Sequence, residues 1–99
     1  MAFNREKKYS EAAPLFRQAA EKGHADAQNF LGIYYSEGNY VTKNEQEAVK
    51  WYKKSADQGN KYAQSNLAYR YLKGEGGVEK SKEKALELFE KSAEQGLVS

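Results

Sequence analysis

The chain has 99 residues, 16 Lys+Arg against 14 Asp+Glu, a net charge of +2 and no cysteine. That length supports one domain with a modest core, and the lack of cysteine excludes disulfides and thiolate metal sites. The two charge signs are interspersed without a basic stripe, which argues against a nucleic-acid partner. No apolar run approaches the ~20 residues needed to span a bilayer, so no membrane partner is expected. The start, Met1-Ala2-Phe3-Asn4-Arg5-Glu6-Lys7, lacks the apolar stretch of a signal peptide.

Apolar periodicity and stop signals predict five helices, over about 10–22, 25–37, 44–58, 61–73 and 81–95. Pro14 fits the first helix if that helix begins near Ser10 or Glu11, because proline is tolerated in a first turn; with an earlier start the helix is kinked there, and the late start is favoured. Gly23, Gly38, Gly59, Gly74 and Gly96 each follow a helical pattern, as expected of left-handed helix ends. Asn44-Glu45-Gln46-Glu47 reads as a capping box before the third helix, and Ser81 is a half box before the fifth, with Lys84 in the glutamate position. Gly23-His24 and Gly59-Asn60 are tight turns, whereas 38–43 and 74–80 are longer connections. Tight turns between helices make antiparallel hairpins, and hairpins in series make a solenoid.

The chain also repeats itself. Ala20-Glu21-Lys22-Gly23 recurs as Ala56-Asp57-Gln58-Gly59 and Ala93-Glu94-Gln95-Gly96, with glycine spacings of 36 (59 − 23) and 37 (96 − 59) residues. Ala27-Gln28 with Leu31 and Tyr35 recurs as Ala63-Gln64 with Leu67 and Tyr71. Ala12, Leu15 and Phe16 recur as Ala48, Trp51 and Tyr52, then as Ala85, Leu88 and Phe89. A fixed period of this size marks a stacked-repeat architecture.

These residues resemble the Sel1-like repeat, a relative of the tetratricopeptide repeat. They are Ala27-Gln28-x-x-Leu31-Gly32-x-Tyr34-Tyr35-x-x-Gly38 with Val41, Asn44, Ala48, Trp51-Tyr52, Ser55-Ala56 and Gly59. The second copy has Ala63-Gln64, Leu67-Ala68, Tyr71, Gly74, Gly76, Val78, Ser81, Ala85, Leu88-Phe89, Ser92-Ala93 and Gly96. The resemblance implies an all-α, right-handed α-solenoid of antiparallel hairpins, one domain over 1–99 with a half repeat at 10–23 and repeats at 24–59 and 60–96. Gly32 would permit close contact within a hairpin. Ala68 replaces a small glycine, and Arg70 stands where Tyr34 stands in the first copy, so the second unit is expected to be looser or more exposed there.

In the fourth helix, Ala63, Leu67 and Tyr71 form one stripe, and Tyr62, Ser65, Tyr69 and Leu72 form another about 180° away. The matching positions in the second helix are Asp26, Asn29, Ile33 and Ser36. In tetratricopeptide-like solenoids the first helix of each unit lines the concave surface. The resemblance therefore implies a protein- or peptide-binding face with Tyr62, Tyr69, Ile33 and Leu72 as its apolar floor. Asp26, Asn29, Ser65 and Lys73 would bond a ligand backbone or charged side chain. The function implied is protein–protein binding, as an adaptor or scaffold. The alternative is a structural unit without a ligand, which self-associates or stacks through Leu15 on the first helix and Leu86 and Leu88 on the last.

No catalytic, cofactor or metal site is expected. His24 is the single histidine and lies in a turn. Glu75 and Glu79 match no calcium-loop spacing, and Gly74-x-Gly76-Gly77 lacks the strand and Gly-Lys-Ser/Thr of a phosphate loop. Glu83, Glu87 and Glu90 alternate with lysines as a solvated face. Some Sel1-like proteins are linked to penicillin binding or hydrolysis, but that subset is disulfide-held, and neither its cysteines nor a Ser-x-x-Lys site is expected here.

Overall fold

The computed structural model describes residues 13–39 and 41–96. Five helices occur among them, without a strand: α1 (described over 13–21), α2 (Ala25–Glu37), α3 (Glu45–Asp57), α4 (Lys61–Lys73) and α5 (Lys82–Glu94). The expected start of α1, near Ser10 or Glu11, lies outside the described residues. α2 packs on α3, α4 on α5 and α3 on α4, the order of an all-α solenoid.

The helix ends repeat in register, because the same residues recur at the same places. Gly38 and Gly74 adopt the left-handed conformation, and their N–H groups donate to Tyr34 O at 2.8 Å and Arg70 O at 2.7 Å. The tight turns match as well: His24 N–H donates to Ala19 O and Asn60 N–H to Ser55 O, at 3.1 and 3.2 Å. Each longer loop is closed by a backbone bond, Asn44 N–H to Tyr35 O at 2.9 Å and Ser81 N–H to Tyr71 O at 2.8 Å.

Among the described residues three N-caps are made by side chains. Asn44 Oδ1 accepts from Glu47 N–H at 3.1 Å, Ser81 Oγ from Lys84 N–H at 3.2 Å and Asn60 Oδ1 from Ala63 N–H at 2.9 Å. The Asn60 cap is additional to the two expected from sequence. The acid of the capping box pairs with Lys50 at 4.0 Å.

Two apolar clusters form one layer each. Ala20, Ala27, Leu31 and Trp51 join α1, α2 and α3, with Phe16, Ala19 and Tyr35 against them. Ala48, Val49, Tyr52, Ala56, Ala63 and Leu67 join α3 to α4, with Leu88 packed against them. Leu88 is therefore an inward residue and does not belong to the exposed end of the last helix.

Between the layers runs a polar ladder. Gln28 Nε2 donates to Ala20 O at 3.1 Å, and Gln58 Nε2 to Gln28 Oε1 at 2.8 Å. One repeat later Gln64 Nε2 donates to Ala56 O at 3.5 Å, and Gln95 Nε2 to Gln64 Oε1 at 2.9 Å. Ser55 Oγ and Ser92 Oγ donate to Ala25 O and Lys61 O at 2.7 and 2.9 Å. Pairing of this kind offsets the cost of burying polar groups and ties each hairpin to the one before.

A candidate binding groove between the first helices of the two repeats

α2 and α4 begin alike, after tight turns, so their solvent-facing rows lie side by side. The groove between them has a volume of ≈ 510 Å³ and is lined by Asn29, Phe30, Ile33, Tyr62, Ser65 and Asn66. No lining residue is charged. Ile33 also packs against the core cluster, which makes it a floor, and Phe30 and Tyr62 are exposed aromatic walls. Asn66 Nδ2 donates to Asn29 Oδ1 at 3.0 Å and crosses the groove base. Asn29 is itself buried.

Four of the nine residues singled out from sequence line this groove: Asn29, Ile33, Tyr62 and Ser65. Asp26 sits at its end, where its Oδ1 accepts from Asn60 Nδ2 at 2.7 Å. Ser36 lies at the C-terminal end of the same row of α2, where its hydroxyl accepts from Arg70 Nη2. Tyr69 leans towards α5 and meets Phe89 edge-on at 5.1 Å, while Leu72 and Lys73 are exposed beyond it. Tyr62, Tyr69 and Leu72 remain 50%, 48% and 38% exposed, so the core does not consume this row. Phe30 and Asn66 were missed from sequence. They share a repeat position, one step beyond the row considered, and a one-residue step turns a helix by about 100°.

Arg70 corrects an expectation. It does not loosen the second unit: its guanidinium lies over the Tyr52 ring at 5.4 Å, bonds Ser36, and approaches Glu45 with Nε–Oε2 at 3.3 Å. That last contact is an ion pair without hydrogen-bond alignment. The seat replaces an aromatic contact with a charged one and ties α4 to both α2 and α3.

Tyr52 is buried beneath this guanidinium. Burial pushes its phenol up to about 12, against the smaller opposing effects of Arg70 and the Ser36 hydrogen bond. A folded-state value above the unfolded one near 10 contributes stability that is complete below pH 10 and is lost as pH rises towards 12. The expected loss is about 2–3 kcal/mol. Urea melts between pH 9 and 12 should show this fall, and Tyr52→Phe should remove most of it. An unchanged slope in the variant would show that Tyr52 is not the group responsible.

The candidates for chemistry weighed from the sequence stand apart from one another. His24, Glu75 and Glu79 are exposed, and no cluster suited to a metal ion occurs among the described residues. Ser81-Lys82-Glu83-Lys84 does spell Ser-x-x-Lys, contrary to the sequence expectation. Its serine oxygen is taken by the α5 cap, however, and the Lys84 ammonium lies over the Tyr71 ring at 5.4 Å. No helix among the described residues is long and apolar enough to cross a membrane.

Comparison with known proteins agrees with this architecture. The model of the Sel1 repeat matches residues 4–24, 25–60 and 61–97. A sel1-like repeat-containing protein of Acanthamoeba polyphaga mimivirus is 38% identical over 84% of this chain, which spans 15% of that protein. DAP3-binding cell death enhancer 1 of Rattus norvegicus is 34% identical over 86% of the chain, which spans 16% of it. The chain thus spans about one sixth of these relatives. Among solved structures, c5321, a protective antigen of uropathogenic Escherichia coli strains, superimposes with a TM-score of 0.83 at 39% identity, covering 89% of this chain and 19% of that one. Cysteine-rich protein B of Helicobacter pylori gives a TM-score of 0.80 at 28% identity, covering 87% of this chain and 64% of that one. With three consecutive matches across almost its whole length, the chain belongs to the Sel1 repeat family, whose members are generally protein-interaction modules.

Proposed function

We propose that this chain binds a protein segment, extended or helical, along the face formed by α2 and α4. Tyr62, Tyr69 and Ile33 are its apolar anchors, and the chain performs no catalysis of its own. The observation that carries this reading is the half exposure of Tyr62 and Tyr69 beside an uncharged groove of ≈ 510 Å³. Aromatic rings of this kind bury much area on binding at little cost in rotamer freedom. Asp26, Ser65 and Lys73 flank the row and supply polar contacts at its edges, while Ser36 is engaged by Arg70.

The test replaces Tyr62, Tyr69 and Leu72 together by serine. All three are exposed, so the helical fold should survive, whereas capture of a protein partner should be lost. Equal capture by a folded triple variant would move binding to another surface. The alternative, stacking or self-association without a ligand, is favoured by Leu15 and Leu86, both exposed at opposite ends of the array. A mass that rises with concentration would support it.

A further inference from the structure

We propose that a cleft between α3, α4 and α5 is a binding site for a free aromatic amino acid of tryptophan size. The cleft has a volume of ≈ 370 Å³, within the range of small-molecule sites. It shares no lining residue with the groove between α2 and α4, so the inference is independent of that reading.

The repeat itself shows what such a place holds. In the first layer Trp51 is 5% exposed and packs with Leu31 and Tyr35. Arg17 lies over the Tyr35 ring at 5.7 Å, and its Nη2 donates to the Tyr35 hydroxyl. The chain thus fills this place with an indole and a guanidinium of its own. In the second layer the floor is kept: Leu67 and Tyr71 stand 36 residues after Leu31 and Tyr35 (67 − 31 and 71 − 35). The filling is not kept. Leu88 stands 37 residues after Trp51 (88 − 51), and Lys53 stands 36 after Arg17 (53 − 17). An isobutyl group replaces the indole, and the Tyr71 hydroxyl has no hydrogen-bond partner among the described residues. The cleft lies where those groups are lost, with Lys53, Tyr71 and Leu88 in its lining. An indole seated on Leu67 and Leu88 would bury its ring there, and its N–H would donate to the Tyr71 hydroxyl oxygen as Arg17 does to Tyr35.

The rim decides which indole. Lys53 and Lys84 bring two ammoniums to the cleft, and Asp57 and Glu87 bring two carboxylates. None of the four is in an ion pair among the described residues. A free amino acid carries one group of each sign, a carboxylate for the lysines and an ammonium for the acids. A tryptophan residue within a partner chain brings only neutral peptide groups to the same rim, and covers charges that gain nothing in return. The rim therefore favours the free amino acid.

The test titrates the isotope-labelled full chain with L-tryptophan and follows its backbone amides by nuclear magnetic resonance. Saturable shifts are expected at Leu67, Tyr71 and Leu88. N-acetyltryptophanamide, the same ring without either charge, is expected to bind at least about threefold more weakly. The double variant Lys53→Arg and Leu88→Trp restores the first-layer pair and fills the cleft, and should weaken tryptophan binding at least about tenfold. A second variant guards against a misfolded first: Lys53→Gln with Glu87→Gln, both at exposed positions, should weaken tryptophan and leave N-acetyltryptophanamide unchanged. Four results overturn the proposal. They are no saturable shift at these amides up to the solubility of tryptophan, N-acetyltryptophanamide binding as tightly as tryptophan, undiminished binding to the folded cleft-filled variant, and shifts gathered instead at Asn29, Tyr62 and Ser65. The second of these would assign the cleft to an aromatic residue of a partner chain, and the last would place the ring in the groove.

Discussion

Replacing Trp51 with alanine is expected to cost about 3–5 kcal/mol, the range for removing a large buried aromatic side chain. A domain of this size is stable by only about 5–15 kcal/mol, so the variant stands near the edge of folding. Trp51 is 5% exposed and packs on Ala20, Ala27 and Leu31, so it is the large side chain that joins α3 to both preceding helices. The Lys50 and Lys54 ammoniums lie over its ring at 5.5 and 4.6 Å and cover its outer side. The neighbours that line its site are small or of fixed register, since the Gln28 and Ser55 bonds tie α1 to α2 and α2 to α3. Leu15 holds the same repeat position in α1 but is 64% exposed, and Leu15→Ala is expected to stay within about 0.5 kcal/mol of the parent. Urea titration of both variants by circular dichroism checks the pair. A Trp51→Ala loss below 1 kcal/mol would mean that the first cluster is not a core.

The second large effect is expected at Gly76. Its φ of +72° is left-handed, and a Cβ there would lie 2.3 Å from Val49 Cγ2 and 2.9 Å from the Glu45 carbonyl oxygen. Left-handed backbone costs an ordinary residue about 1–2 kcal/mol, and overpacking a tight site about 1–3. Gly76→Ala should therefore destabilise by about 2–4 kcal/mol. Gly59 has a φ of +92° but nothing within 4 Å of a Cβ, so Gly59→Ala should cost only the backbone part, about 1–2 kcal/mol. The difference between the two melts reports how firmly the second loop is seated on α3. Equal losses would show that the loop does not press on Val49.

Much of this fold is legible in the sequence because the repeat says everything twice. The glycine spacing set the hairpins, and the expected limits of α2 and α4 match Ala25–Glu37 and Lys61–Lys73. Gly32 was expected at a close approach, and a Cβ there would lie 2.7 Å from the Tyr52 ring. In the second copy Ala68 stands in the place of Gly32 and Phe89 in that of Tyr52. What the sequence did not disclose depends on partners distant in the chain. Arg70 reads as a misfit in an apolar column until Glu45, Tyr52 and Ser36 are seen to converge on it. Asn60 looks like a turn residue, and only its backbone angles make it a cap. The recurring Ala-Gln pairs mark the repeat, yet that Gln28 and Gln64 thread a ladder through every layer follows only from the stacking. At the groove, the period located Asn29, Ile33, Tyr62 and Ser65, while Phe30 and Asn66 belong to a neighbouring row that enters because two helices share the wall.

The central claim, that α2 and α4 present a protein-binding face, is tested most directly by the affinity of one captured partner for two proteins. These are the parent and the variant carrying Tyr62→Ser, Tyr69→Ser and Leu72→Ser, compared by calorimetry at equal helicity. Loss of two or three buried apolar anchors should weaken binding at least about tenfold, since one such anchor commonly carries more than 1 kcal/mol. Equal affinity for both proteins would contradict the claim and leave the array without a ligand on this face.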